Sequence, residues 1–226
     1  RSSILILIII LTLGAFLRFY RIKELATFRG DQAIELSTCA KITQGKFTLI
    51  GIKTSNSEVR NGAVMYYIIA PFLYLFGYDP IAGGFVQSLL SLLAIVLVFL
   101  IGKKFHSEQV GLFAAFLLST SALLVRYSRQ NLLAYSPLAF VAFAFYFLAT
   151  LQKNFNSKIV FVLGLILGVM LQVHYSTLAV VLACTAAPFI FFPRKIWLKY
   201  YFLILLGFVV GFSPMILFEL RHEFFN

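Results

Sequence analysis

The sequence predicts an all-α, polytopic transmembrane helical bundle of about seven spans, with a long outer loop that carries two surface helices. Of its 226 residues, 61% are hydrophobic and only 12% are charged, and the mean hydropathy is +0.95. Charge-free runs long enough to cross a bilayer recur along the chain. A soluble domain is about half apolar and about a quarter charged, so this composition excludes a water-soluble globule, and its many aromatic residues exclude a disordered chain.

The basic surplus, 19 Lys and Arg against 8 Asp and Glu, gives a net charge of +11. A chain this apolar is not a basic nucleic-acid-binding domain, so no nucleic acid partner is expected. In a membrane protein, the surplus suits orientation in the bilayer and contact with anionic lipid or phosphate groups. With only two cysteines, no His/Cys/carboxylate cluster at metal spacing and no nucleotide-binding glycine loop, we expect no metal and no cofactor.

Six charge-free runs are predicted to supply seven spans of the bilayer. Five are separate segments of the chain, namely residues 2–17, 80–102, 109–125, 130–152 and 200–218. The run at residues 159–193 is too long for one span and just long enough for two, and its only polar interruption is His174-Tyr175-Ser176. We therefore predict two spans there, joined by a tight turn at His174.

The distribution of charge predicts the sidedness of the bundle. Residues 61–78 carry Gly62, Pro71 and Gly77 and are predicted to lie on the membrane without crossing it. Three of the connections between spans then lie on one side of the membrane and together carry seven basic residues. The turns on the opposite side carry only Arg126 and Arg129. By the positive-inside rule, the N-terminus is cytoplasmic and the loop at residues 18–64 and 65–78 faces outside.

The outer loop is predicted to contain two interfacial helices. Residues 31–42 read as an amphipathic helix with Asp31 at its N-cap, ended by Gln44-Gly45. Residues 52–60 read as a polar loop, and residues 62–76 as the second surface helix. We interpret residues 1–226 as the N-terminal transmembrane module of a longer protein, with spans two to seven over residues 80–217.

Two acids of the first surface helix are candidate catalytic groups. Asp31 and Glu35 are four residues apart, so both carboxyl groups share one face of a helix at the membrane boundary. Partial desolvation there raises the pKa of a carboxyl group and suits it to remove a proton from a hydroxyl. The alternative is that Asp31 is only a helix cap and Glu35 an exposed surface residue.

Arginines close the third span on the outer side, in the segment Arg126-Tyr127-Ser128-Arg129. Two guanidinium groups in one turn suit a phosphate, because each offers forked donors and a fixed positive charge. The alternative is that both side chains merely extend to the interface.

The order of these features resembles that of the polyprenyl-phosphate-dependent glycosyltransferases of the GT-C superfamily, such as the protein O-mannosyltransferases, the aminoarabinose transferases and their bacterial relatives. The resemblance rests on five segments in this order: Arg18-Phe19-Tyr20-Arg21, Gly30-Asp31-Gln32, the run from Asn61 to Phe72, Tyr127-Ser128-Arg129, and Phe218-Glu219-Leu220-Arg221-His222. Many relatives carry Asp-Glu where this chain has Asp31-Gln32, so a second acid must come from Glu35 or be absent.

The resemblance implies a function at the outer face of a bacterial cytoplasmic membrane. The expected partners are a polyprenyl-phosphate-linked sugar donor, membrane lipid, and an acceptor that is a protein, a lipid or a glycan. Asp31 would deprotonate the acceptor hydroxyl, and inversion is expected as the lipid phosphate leaves. Arg129, with Arg126, Lys53 and Arg60, would supply positive charge to that phosphate. Tyr67 would line the path of the sugar or lipid, and its alternative role is to anchor the helix at the membrane interface.

A different class of function shares several of these features. A transporter or flippase of a lipid-linked saccharide also needs outward basic residues and aromatic helices. Transporters, however, place ionisable residues and broken helices at mid-membrane and show internal repeats, whereas the ionisable residues here lie at one surface. A structural subunit that binds a partner in the bilayer is a third reading, and the long outer loop argues mildly against it.

Overall fold

A computed structural model describes residues 2–53 and 59–222 of the chain. Over these residues the regular structure is helical apart from one two-stranded ribbon, which confirms the all-α membrane bundle. The chain forms two compact units, described separately below. One comprises Arg1–Phe47 and Met65–Ala142, and the other Thr48–Val64 and Phe143–Asn226.

The helices of the first unit follow one another in chain order. They are α1 (Ser2–Phe19), α2 (Ile22–Leu25), α3 (Gly30–Thr43), α4 (Val64–Leu75), α5 (Ile81–Phe105), α6 (Glu108–Thr120), α7 (Ala122–Ser128) and the first part of α8 (Pro137–Lys153). Helices α1, α5 and α6 pack together through the buried side chains of Ile10, Ile95, Phe99 and Ala115. The side chains of these helices that face away from this core remain apolar, as expected of helices in lipid.

The lengths of the helices bear on the predicted number of spans. Within the described residues, four helical segments are long and apolar enough to cross a membrane: Ser2–Phe19, Ile81–Phe105, Leu133–Lys153 and Arg194–Arg221. The pair α6 and α7 makes a fifth if its two bent parts count as one span. Three further apolar segments are shorter, namely Val64–Leu75, Ser157–Val173 and Tyr175–Phe191. The last two meet at a break at His174, where the turn was predicted. Seven spans therefore remain a prediction.

The third predicted span is broken, which the sequence does not indicate. Helices α6 and α7 meet at Ser121 with a bend of 61°. The break frees carbonyl groups at the end of α6, and the buried Arg18 of α1 satisfies two of them, Ser119 O at 3.0 Å and Leu118 O at 3.3 Å. Arg18 also donates to Ser91 Oγ at 2.9 Å, so one guanidinium joins α1, α5 and α6.

The first surface helix begins one residue earlier than predicted, and its N-cap is Arg29 and not Asp31. The backbone N–H of Arg29 donates to Oε1 of Gln32 at 2.7 Å, which is one half of a capping box. The helix ends at Gln44-Gly45 as predicted, and Gly45 has a φ of +81°, a conformation that favours glycine.

In the second unit, the predicted polar loop at residues 52–60 is flanked by an antiparallel ribbon. Strand β1 (Ile50–Lys53) pairs with β2 (Arg60–Gly62), with Ile50 opposite Gly62 and Lys53 opposite Arg60. The ends of the predicted loop are therefore strands, and its middle, residues 54–58, lies outside the described residues.

Three helices complete the second unit: α9 (Ser157–Val173), α10 (Leu178–Phe191) and α11 (Arg194–Arg221). Helices α9 and α11 are in backbone contact through glycines. A Cβ atom on Gly164 would lie 2.2 Å from Ile204 O, and one on Gly211 would lie 2.2 Å from Leu165 O. Small residues at such a crossing let helices in a membrane approach closely.

Candidate active site

Three helix ends of the first unit meet around Arg129. The guanidinium of Arg129 donates to the carbonyl oxygens of Leu17 and Arg18, and it thereby caps the C-terminus of α1. The carbonyl oxygen of Arg129 faces the start of α5, where a Cβ on Gly84 would lie only 2.4 Å away. The C-termini of α1 and α7 and the N-terminus of α5 therefore share one end of the unit.

A cavity of about 320 Å³ opens at this end, a volume that is typical of small-molecule sites. Its lining comes from the segment before α3, from α3 itself, from the start of α5 and from the turn after α7. The lining residues are Lys23, Ala26, Thr27, Phe28, Gln32, Asp79, Pro80, Ile81, Gly84, Arg129 and Asn131. We call this the Arg129 cavity.

The two candidate acids occupy different environments on α3. Asp31 is exposed in the first turn and is not the helix cap, whereas Glu35, one turn later, is 1% exposed. The alternative interpretation, a capping Asp31 and an exposed Glu35, is therefore wrong for both residues.

Glu35 is held by the turn that follows α7. Its Oε2 accepts from Nδ2 of Asn131 at 3.2 Å, and the backbone N–H of Leu133 also donates to the carboxyl group. Burial raises the pKa of Glu35 to about 8, the Leu133 bond opposes that rise, and the nearby charge of Asp31 adds to it. At neutral pH, Glu35 is therefore mostly a neutral carboxylic acid.

The two candidate arginines also differ. Arg129 is half-buried and lines the Arg129 cavity, and burial lowers the pKa of its guanidinium. A guanidinium has five N–H donors, so capping α1 leaves others for an anion in the cavity. Arg126 is exposed on α7 and does not line this cavity.

The other predicted donor-binding residues do not line this cavity. Tyr67 is exposed on α4 and stacks on Phe47, with ring centroids 6.4 Å apart. In the second unit, Lys53 is exposed at the end of β1, and Arg60 is half-buried at the start of β2. Nη1 of Arg60 donates to Gly51 O at 3.4 Å.

Sequence reasoning missed the two amides of the Arg129 cavity. Gln32 is fully buried and Asn131 is 4% exposed. The position of Gln32, three residues after Arg29, is the spacing of a capping box and could have drawn attention to it. No local pattern marks Asn131, because its partner Glu35 is 96 positions away in the chain.

A second, mostly apolar cavity of about 270 Å³ lies along α5, α7 and the start of α8. The stacked rings of Tyr127 and Tyr135, 3.9 Å between centroids, form part of its wall, together with Leu90, Leu124 and Leu138. Over the described ranges 2–53 and 59–222, no three His, Cys, Asp or Glu side chains are grouped to hold a metal ion.

Together these features define a multi-pass membrane protein with a cavity where several of its helices end, and basic and amide side chains line this cavity among apolar ones. Comparison with protein families gives a match over residues 61–218 to the dolichyl-phosphate-mannose-protein mannosyltransferase family. The match covers more than half of the chain, and the protein belongs to this family. It is therefore a membrane glycosyltransferase of the GT-C type. No curated protein and no solved structure matches the chain significantly.

Proposed function

We propose that this protein transfers a sugar from a polyprenyl-phosphate donor to an acceptor hydroxyl at the outer face of a bacterial cytoplasmic membrane. The observation that carries the proposal is the Arg129 cavity, where a guanidinium held in place by the end of α1 faces a space of small-molecule size. The family description, which names a dolichyl-phosphate sugar donor and a protein acceptor, supports a lipid-phosphate donor.

In the proposed reaction, the acceptor oxygen attacks the anomeric carbon and the bond from that carbon to the phosphate oxygen breaks. The hydroxyl proton passes to the carboxylate of Asp31, and polyprenyl phosphate leaves with the bonding electrons. A single displacement of this kind inverts the anomeric centre. Arg129 stabilises the charge that develops on the leaving phosphate, as a fixed cation does in many transferases.

The exposure of Asp31 favours it over Glu35 as the base. Asp31 is exposed where an acceptor can arrive from water, whereas Glu35 is buried and mostly protonated at neutral pH. We propose that Glu35 is a positioning residue, which acts through Asn131 on the turn that carries Arg129.

The remaining candidate residues keep supporting roles in the proposal. Arg126, Lys53 and Arg60 would add positive charge for the donor, and Tyr67 would contact its lipid or sugar. The apolar cavity beside Tyr127 and Tyr135 suits the first isoprene units of the donor. The outer location follows from the positive-inside distribution of charge, which leaves Arg129 opposite the basic connections.

Release of free polyprenyl phosphate from a panel of sugar-loaded polyprenyl phosphates tests the proposal, using full-length protein in membranes. Asp31→Asn should reduce release at least a hundredfold with donor affinity unchanged, because general base catalysis contributes factors of about 10² to 10⁴. Glu24→Gln, at another exposed acid of the outer loop, is the matched control and should be active. Full release by Asp31→Asn would reject Asp31 as the base. Movement of labelled lipid-linked sugar between leaflets, with no release from any donor, would instead indicate a transporter.

A further inference from the structure

Two turns of the second unit carry basic side chains at one end of its helices. The turn between α8 and α9 is flanked by two of them and the start of α11 supplies three, and all are exposed: Lys153, Lys158, Arg194, Lys195 and Lys199. The two turns are in contact, because the rings of Phe155 and Phe192 lie 5.7 Å apart and Lys199 Nζ lies 5.8 Å from the centroid of the Phe155 ring. We call this surface the basic end.

The positive charge of the basic end is not balanced by a nearby acid. The sequence contains no Asp or Glu between Glu108 and Glu219, and Glu219 is the only acid among the described residues of the second unit. Arg194 is the first residue of α11, whereas Glu219 lies close to the other end of this 28-residue helix, which is about 42 Å long. Charges in water are screened over about 8 Å, so the basic end favours an anionic partner.

An apolar groove of about 320 Å³ lies along α11 of the same unit. Its wall includes Leu167 of α9, Val181 and Thr185 of α10, and Tyr201, Leu205 and Phe208 of α11. Arg194, Tyr201 and Phe208 recur every seven residues, so they lie on one face of the helix. Leu205 is 62% exposed, so the groove opens towards the lipid hydrocarbon. The groove therefore suits an alkyl chain that continues from the basic end.

Aromatic side chains lie between the basic end and the groove. The indole ring of Trp197 packs edge-on against Phe189, with ring centroids 4.7 Å apart, and its Nε1 donates to Phe192 O at 2.9 Å. One turn further along α11, Oη of Tyr201 donates to Thr185 O at 3.2 Å. Tryptophan and tyrosine prefer the level of the lipid head groups. Basic, aromatic and apolar side chains therefore follow one another along α11 in the order of the phosphate, the ester region and the acyl chain of a phospholipid.

We infer that the second unit binds an anionic glycerophospholipid along α11, with the phosphate at Arg194 and Lys195 and one acyl chain in the groove. The positive-inside rule assigns both turns to the cytoplasmic side, where anionic lipids attract basic residues close to the membrane. A zwitterionic phospholipid offers the same chain, but its ammonium group would meet the positive charge of the basic end. The inference is independent of the proposed function, because no residue of the Arg129 cavity takes part.

Trp197 is the only tryptophan among the 226 residues, and its place beside the groove makes it a reporter of the bound lipid. Full-length protein is reconstituted in phosphatidylcholine vesicles. A lipid brominated near the ester end of its acyl chain is then added, either as phosphatidylglycerol or as phosphatidylcholine. Bromine quenches the fluorescence of a tryptophan that it contacts, and Trp197→Phe gives the background. Brominated phosphatidylglycerol should reach half-maximal quenching at a mole fraction at least fivefold lower than brominated phosphatidylcholine.

Two pairs of variants separate the head-group contact from the chain contact. Arg194→Gln with Lys195→Gln should reduce the preference for phosphatidylglycerol to less than about twofold, because each basic residue near the membrane surface contributes about fivefold in affinity. Lys103→Gln with Lys104→Gln removes two charges from the same predicted side in the first unit, and should keep the wild-type preference. Leu205→Phe narrows the groove and should weaken quenching by both lipids. Leu206→Phe, at a neighbouring exposed leucine outside the groove, should not.

Three outcomes would overturn the inference. Equal quenching of the wild-type protein by the two brominated lipids would mean that Trp197 meets only bulk lipid. A preference that survived Arg194→Gln with Lys195→Gln would place the anionic lipid elsewhere. If polyprenyl phosphate displaced the brominated phosphatidylglycerol more strongly than unlabelled phosphatidylglycerol did, the site would belong to the isoprenoid lipid. None of these outcomes bears on sugar transfer at the Arg129 cavity, which the release assay tests separately.

Discussion

Glu35 gives the fold a dependence on pH that can be worked out from its surroundings. Burial raises the pKa of Glu35 from an ordinary value of 4.5 to about 8 in the folded protein. The folded state therefore holds the proton more tightly than the unfolded state does, and stability falls as pH rises through this window. Each pH unit between the two values is worth about 1.4 kcal/mol, so a change from pH 6 to pH 9 should cost about 2–3 kcal/mol.

Glu35→Gln should remove this dependence, because the amide keeps much of the shape of the protonated acid and cannot ionise. The free energy of unfolding is measured by far-ultraviolet circular dichroism in mixed micelles at pH 6 and pH 9. Glu24→Gln, an exposed acid, should behave as the wild-type protein does. If Glu35→Gln lost as much stability as wild type between these pH values, then Glu35 would not be the buried acid responsible, and the reasoning would be refuted.

Three further substitutions test the packing of the helices. Arg18→Met should lower the free energy of unfolding by about 3 kcal/mol, because the carbonyl groups at the end of α6 and Ser91 Oγ lose their donor. Arg21→Met, at an exposed arginine, is the control and should cost little. Equal losses for the two variants, measured by unfolding in micelles, would contradict the role of Arg18. Gly84→Ala places a Cβ 2.4 Å from Arg129 O, so it should lower the free energy of unfolding by about 1–3 kcal/mol and reduce sugar transfer. Gly30→Ala, which has open space around it, is the control and should change neither. Gly207→Ala places a Cβ 2.1 Å from Phe161 O and should push α9 and α11 apart, which lowers the melting temperature. An unchanged melting temperature would show that the two helices are not in backbone contact.

Features set by local pattern were predictable from the sequence. The surface helix over residues 31–42 follows from its apolar spacing and its Gln44-Gly45 end. The break after His174 follows from one polar interruption in a long apolar run. The family resemblance was recognisable from short segments, and the family match over residues 61–218 confirms it.

Features set by distant contacts were not predictable. No proline or glycine in the sequence marks the bend at Ser121. The bend is stabilised by Arg18, which is about a hundred positions away in the chain. The burial of Glu35 depends on Asn131, which only the fold brings to α3. The ribbon at Ile50–Lys53 and Arg60–Gly62 is too short for a reliable alternating pattern, so residues 52–60 read as a polar loop and Gly62 as the start of the second surface helix.

The glycine contact between α9 and α11 has a consequence for the order in which the chain is made. Gly164 and Gly168 of α9 are synthesised before any residue of α10. Their partners Gly207 and Gly211 are synthesised later, as part of α11. Until then, the small-residue face of α9 meets lipid and has no helix to close against. A nascent chain that stops after α10 therefore holds α9 without its partner, and the second unit assembles only when its last described helix enters the bilayer.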